Sequence, residues 1–171
     1  MKNSTKRSFI LGDEWIYYKI YTGVKTADLI LIDHLKLILE KLINNGVIDQ
    51  WFFIRYSDPN FHLRLRLHFL DKNKLIYIIN SLHFELNKLI DLELVWKVQI
   101  DTYTRELERY GSTIIEESEL LFYYDSKMII DALEVLESDE NPNTKWLWGL
   151  LVMDTFMDDF GLSIIEKKEL I

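Results

Sequence analysis

The chain has 171 residues, 49% hydrophobic and 13% aromatic, with two Pro and six Gly, which fits one folded domain with a real core and excludes a disordered linker. It has no Cys, which excludes a disulfide framework and thiolate metal sites and fits a reducing, cytoplasmic setting. The net charge of −8 disfavours a nucleic-acid binder, but the charge is uneven: residues 1–70 hold ten Lys/Arg against seven Asp/Glu (+3), and residues 71–171 ten against twenty-one (−11).

Met1 to Arg7 leads into a charged segment, with no apolar run typical of a secretory signal. Apolar windows are broken by Lys, Asp or His, so no transmembrane span is expected. Ser8 to Asp13 is a short lead-in ending in a Gly12-Asp13 turn signal. Trp15 to Tyr21 is aromatic and β-branched and predicts a first strand, with Ile16, Tyr18 and Ile20 on one face and Trp15, Tyr17, Lys19 and Tyr21 on the other. Thr26 is expected to cap a helix running to about Asn45 and stopped by Gly46, with Leu29, Ile32, Leu35, Leu39, Leu42 and Ile43 as its buried stripe.

Trp51 to Tyr56 predicts a second strand, and Ser57-Asp58-Pro59-Asn60 a turn. The third strand has the most informative pattern. His62, Arg64, Arg66 and His68 alternate with Leu63, Leu65, Leu67 and Phe69, giving an apolar back and a cationic front. Paired guanidinium groups are the usual means of holding carboxylate or phosphate, so the front face reads as an anion-handling surface. Lys72 to about Ile90 predicts a second amphipathic helix carried by Leu75, Ile79, Leu82, Leu86 and Leu89. Leu94 to Thr104 predicts a fourth strand, with Lys97, Gln99, Asp101 and Tyr103 on its polar side.

The order βαββαβ with right-handed crossovers predicts an α+β, ferredoxin-like antiparallel sheet with both helices on one face. Strands one and three would be central, with the His/Arg face on the open side of the sheet as a site or an interface. The expected organisation is a single domain over 1–171, with a core over 8–105 and a helical extension over 112–171. In the extension, Ile115 to about Ser138 reads as helix, Asn141-Pro142-Asn143 as a break, Thr144 as a cap and Lys145 to Phe160 as a further helix. The acidic runs from Glu116 onward (EESE, ESDE) read as solvated faces, and Trp146, Leu150, Met153 and Phe156 as a core stripe. Neither GxGxxG, a P-loop, HExxH nor a Cys set is present, so no cofactor and no metal is expected.

Taken together, WIYYKIYTG, WFFIRYSDPNFHLRLR, DTYTRELERYG and ELLFYYDS resemble the C-terminal elimination domain of lantibiotic dehydratases. The same domain occurs in stand-alone thiopeptide-type bacteriocin biosynthesis proteins, and the resemblance runs through residues 8 to 162. It implies an enzyme of ribosomal-peptide modification that eliminates glutamate from glutamylated Ser or Thr of a precursor peptide, leaving dehydroamino acids. It also implies functional arginines in HLRLR and RELERYG, here Arg64, Arg66 and Arg109, with His62 and Glu106 as substrate-binding neighbours. The family domain extends further and carries a histidine of elimination in its second half. The expectation is therefore a shortened chain, a lyase once completed by a second half or a partner.

The expected partners are the glutamylated precursor peptide and a tRNA-dependent glutamylating dehydratase, with no direct nucleic-acid contact; a second copy of the chain is a further candidate. Two other readings stay open. One is a non-catalytic module that binds precursor peptide or dehydratase through the sheet face or the edge of strand two or four. The other is a cyclase that closes thiopeptide macrocycles.

Overall fold

The computed structural model describes residues 5–137, 141 and 143–170. The chain divides into two compact units, Met1–Asp131 and Ala132–Ile171. In order, the elements are β1 (Ser8–Phe9), β2 (Trp15–Thr22), α1 (Thr26–Leu29), a π-helical stretch (Ile30–Leu35), α2 (Lys36–Asn44), β3 (Gln50–Ser57) and β4 (Phe61–His68). A 3-10 turn (Lys72–Lys74) then leads into α3 (Leu75–Asp91), β5 (Val95–Asp101), β6 (Tyr103–Thr104), α4 (Leu107–Tyr110), α5 (Ile115–Leu136), α6 (Thr144–Asp159) and α7 (Ile164–Leu170).

The main sheet has the order β3-β4-β2-β5 with every neighbouring pair antiparallel, which is the predicted ferredoxin-like arrangement. Its register explains why. Ile16 pairs with Leu67, Tyr18 with Leu65 and Ile20 with Leu63, so the apolar sides of β2 and β4 form one continuous face. Those six side chains are all buried, as are Leu31, Leu35, Leu39 and Leu42 of the first helical stretch and Ile78, Leu82, Leu86 and Leu89 of α3. Each such burial contributes about 1.5–3 kcal/mol, so this layer dominates the stability of the unit.

Two local differences from the sequence expectation have physical causes. Leu29 is 42% exposed, while Ala27, Ile30 and Leu31 are buried. The wider π turn at Ile30–Leu35 rotates the inward face away from its regular helical position. Gly46 does stop α2, at φ +60°, with its N–H donating to the carbonyl of Ile43. The predicted fourth strand is interrupted at Thr102, whose N–H donates to Asp101 Oδ1 at 2.7 Å. Beyond this bend Tyr103 and Thr104 leave the main sheet and pair with Phe9 and Ser8.

The two edges of the sheet differ. At β3, the Phe53 N–H donates to Ser126 Oγ of α5 at 3.1 Å, and Tyr123 packs edge-on against Trp51. That edge is closed by a helix. The outer edge of β5 pairs with no strand among the described residues.

In the second unit, Ser163 and Glu166 form a reciprocal cap at the start of α7, and Lys167 reaches Asp154 and Asp158 of α6 at 2.7 Å each. The expected core stripe is not buried: Trp146 is 67% exposed and α6 has no buried residue. Ser138 and Pro142, placed in the expected helix end and break, lie outside the described residues. No described helix is long and apolar enough to cross a membrane.

Candidate functional site

The front face of the sheet is ordered in transverse rows, because β4 is paired on both sides. One row is Tyr56, His62, Tyr21 and Lys97; the next is Ile54, Arg64, Lys19 and Gln99; the third is Phe52, Arg66, Tyr17 and Asp101. Arg64 and Arg66 share a face at a strand spacing of about 7 Å.

This face is not open along its whole length. Phe9 of β1, Trp15, Tyr17, Phe52 and Tyr103 form a second apolar cluster, with Phe122 of α5 packed against it. The segment carrying β6 and the first part of α5 therefore roof the Arg66 end. Phe52 is tilted against Phe122 with centroids 5.4 Å apart, and Trp15 meets Tyr103 edge-on at 5.3 Å.

Under this roof Arg66 is only 7% exposed. Its guanidinium carbon lies 4.6 Å from the ring centroid of Tyr17, 4.8 Å from Tyr103 and 5.0 Å from Phe52. Such cation–π contacts favour the charge, but they make no hydrogen bonds. Nε and Nη1 are buried without a partner. Burial depresses the Arg66 pKa, and Arg64 adds to this, while Tyr103, Tyr17 and Glu106 act in the opposite sense. A buried guanidinium with two unused donors is an incomplete structure that an anion would complete.

Arg64 is half-buried and differently held. Its guanidinium stacks 3.3 Å from the Tyr56 ring centroid, and its Nε–H donates to His62 Nε2 at 3.2 Å. His62, 1% exposed, donates Nδ1–H to the Asn60 carbonyl at 2.8 Å and stacks on Tyr21. Both ring nitrogens are thus occupied, and His62 supports Arg64 from behind. At the other side of the row Lys19 pairs with Asp101, and this bond raises the lysine pKa and lowers that of the carboxylate. Tyr17 is pushed up by burial against the opposing pull of Arg66.

Glu106 and Arg109 stand at α4, immediately after the roof strand. They form an exposed pair at 3.6 Å, and Glu106 is within electrostatic reach of Arg66. Arg64 and Arg66 thus share the sheet face, whereas Arg109 stands apart on α4, against Glu106 and the Tyr110 ring.

One group in this region escaped the sequence reading. Glu119 was expected on a solvated acidic face, but it is fully buried. It accepts from Tyr103 Oη at 2.6 Å and from Arg105 Nε and Nη2 at 2.8 and 2.6 Å. Burial would depress the Arg105 pKa, but the bonds to Glu119 outweigh it and the net direction is up. Tyr103 is raised, first by its burial and then by Glu119. The signal was available: Ile115, Glu119, Phe122 and Ser126 recur at helical spacing and make the inward face of α5.

The sequence matches the family described as lantibiotic biosynthesis dehydratase C-term over residues 15–171. The chain is similar to the nisin biosynthesis protein NisB of Lactococcus lactis subsp. lactis, 32% identical over 137 residues, which cover 80% of this chain and 13% of that protein. It is 29% identical over 163 residues to the subtilin biosynthesis protein SpaB of Bacillus subtilis, covering 91% of this chain and 15% of that one. Its structure resembles the crystal structure of the tRNA dependent lantibiotic dehydratase MibB from Microbispora sp. 107891, with TM-score 0.69 and 28% identity over 75% of this chain and 12% of that one. The chain spans about one seventh of the curated relatives it matches. The chain belongs to the lantibiotic biosynthesis dehydratase C-terminal family.

Proposed function

We propose that this chain is the glutamyl-holding part of a lyase that eliminates glutamate from glutamylated Ser or Thr of a ribosomal precursor peptide. One observation carries the reading: Arg66 is buried among three rings with two donors unused, beside Arg64 on the same face. A carboxylate placed there would satisfy both donors and relieve the desolvation of the guanidinium.

In the elimination, a base removes the α-proton of the esterified residue and its electron pair becomes the Cα–Cβ double bond. The Cβ–O bond breaks, and glutamate leaves with the bonding pair as a carboxylate. Arg64 and Arg66 stabilise the charge developing on that leaving group, and Glu106 with Arg109 borders it. Proton abstraction falls to a base outside this set. The partners of this reading are the glutamylated precursor and a tRNA-dependent glutamylating dehydratase, in the cytoplasm. A second copy of the chain is a further candidate partner.

The test is to incubate the chain with a glutamylated peptide, alone and together with a glutamylating dehydratase, and to follow peptide mass. Loss of one glutamic acid per modified residue is expected in the completed system, and Arg66→Ala should abolish it. No loss in either arrangement refutes the lyase.

The outer edge of β5, unpaired among the described residues, favours a second reading, a module that binds extended peptide by strand addition. It predicts that a Pro at Gln99 weakens peptide binding more than Arg66→Ala does.

A further inference from the structure

We propose that Glu119 is a positioning residue for the arginine site. It rests on the glutamyl-holding reading above and adds to it the part of the molecule that fixes Arg66 and the α4 pair in one frame.

The argument starts from what Arg66 lacks. No hydrogen bond orients its buried Nε and Nη1, so its direction is set by the faces of Tyr17, Phe52 and Tyr103. Tyr17 and Phe52 belong to β2 and β3 and are fixed by the sheet. Tyr103 is not. It lies in a two-residue strand beyond the Thr102 bend, paired among the described residues with the two-residue strand Ser8–Phe9. Such a short ladder does not by itself hold a ring at a defined angle.

Packing against Phe9, Trp15 and Phe52 confines the ring, and the bond from Tyr103 Oη to Glu119 fixes its polar end. The same carboxylate grips Arg105 through two parallel N–H donors, and Arg105 also donates through Nη1 to the Lys6 carbonyl at 3.1 Å. Arg105 is the residue before Glu106, so the carboxylate fixes both the wall of the Arg66 box and the root of α4, where Glu106 and Arg109 begin. All four oxygen and nitrogen atoms facing one another are used. A fork-to-fork guanidinium–carboxylate pair has a defined plane, and a buried one gives up its geometry reluctantly. A purely structural staple would need only the Arg105 bonds. The Tyr103 bond is the one that points at the site.

Two changes separate positioning from folding. Tyr103→Phe keeps the ring and removes only the hydroxyl. The pair Arg105→Met with Glu119→Met fills the same space without charge, an exchange that buried ion pairs often tolerate, and here it also leaves the Tyr103 hydroxyl without its acceptor at a cost of about 1–3 kcal/mol. Leu82→Ala, in the opposite layer, serves as a control for general destabilisation. The probe is free L-glutamate, read by the Arg66 Nε–Hε resonance in an NMR titration. The expected result is a sharp, dispersed resonance in the unmodified chain and in Leu82→Ala. In Tyr103→Phe and the double Met variant the resonance moves toward free arginine and glutamate affinity falls about tenfold. The inference is overturned if both site variants keep the resonance and the affinity, or if Leu82→Ala loses them equally. If the unmodified chain does not bind glutamate, the glutamyl-holding reading falls; the position of the unliganded Arg66 resonance across the variants still decides the role of Glu119.

Discussion

Replacing Arg66 by Met should leave the unliganded protein as stable as before, or more stable, while removing its response to carboxylate. The guanidinium is 7% exposed and two of its donors are unsatisfied. At about 1–3 kcal/mol for each buried unpaired donor, the charge costs roughly 2–6 kcal/mol. Against this stand three ring contacts between 4.6 and 5.0 Å. A Met side chain keeps most of that packing and makes its own sulfur–aromatic contacts, so the loss is about 0.5 kcal/mol per ring, some 1.5 kcal/mol in all. The expected net change therefore lies between about 0.5 and 4.5 kcal/mol of stabilisation. Urea unfolding measures it as a higher midpoint at unchanged slope. Added L-glutamate at a hundred times its dissociation constant should stabilise the unmodified chain by about 2.7 kcal/mol and Arg66→Met not at all. A loss of 2 kcal/mol or more in Arg66→Met without ligand would refute the reasoning, because the guanidinium would then be a paid-up structural group.

Other outcomes follow from the same geometry. Ser126→Ala leaves the Phe53 amide buried without an acceptor; it should cost about 1–3 kcal/mol and speed hydrogen exchange at that amide. Leu65→Ala, at a fully buried position, should cost about 2–5 kcal/mol in the same urea assay. Gly46→Ala meets no atom within 4 Å, so its cost is that of the backbone alone at φ +60°, about 1 kcal/mol. The Lys19–Asp101 pair lowers the carboxylate pKa, so its contribution is present above the ordinary value of 3.8 and is lost as pH falls through the lower folded value. Because Asp101 is 45% exposed, solvent screening holds that contribution to about 0.5 kcal/mol. The stability gap between the unmodified chain and Asp101→Asn should therefore be small at neutral pH and close as pH falls below the ordinary carboxylate value and through the lower folded one; a gap that persists once the carboxyl is protonated would contradict the assignment.

The sheet was legible because its signals are local and periodic. Alternation in 61–69 placed the leucines inward and the arginines outward, and the central position of β4 followed from the element order alone. The roof was not legible. Whether Tyr103 continues β5 or turns over Arg66 depends on Asp101 capturing the Thr102 N–H and on Phe9 pairing with Tyr103, and neither leaves a pattern in composition. Glu119 was misplaced for a related reason: a carboxylate among acidic neighbours looks solvated until its partner is found fourteen residues earlier. The π-helical stretch defeated a fixed period of 3.6 in the same way, since one wide turn shifts every inward position before it.

The pairing of β4 on both sides has an evolutionary consequence. A one-residue slip of this strand would drive His62, Arg64, Arg66 and His68 into the layer now filled by Leu63, Leu65 and Leu67. Two neighbours and a full helical layer penalise that slip at once. The spacing of the two arginines is therefore inherited from the hydrophobic core and cannot drift independently of it, whereas the roof and the root of α4 rest on a separate set of contacts, the aromatic cluster and one buried carboxylate. New substrate preferences in this fold should arise by rebuilding the cover over an unchanging floor.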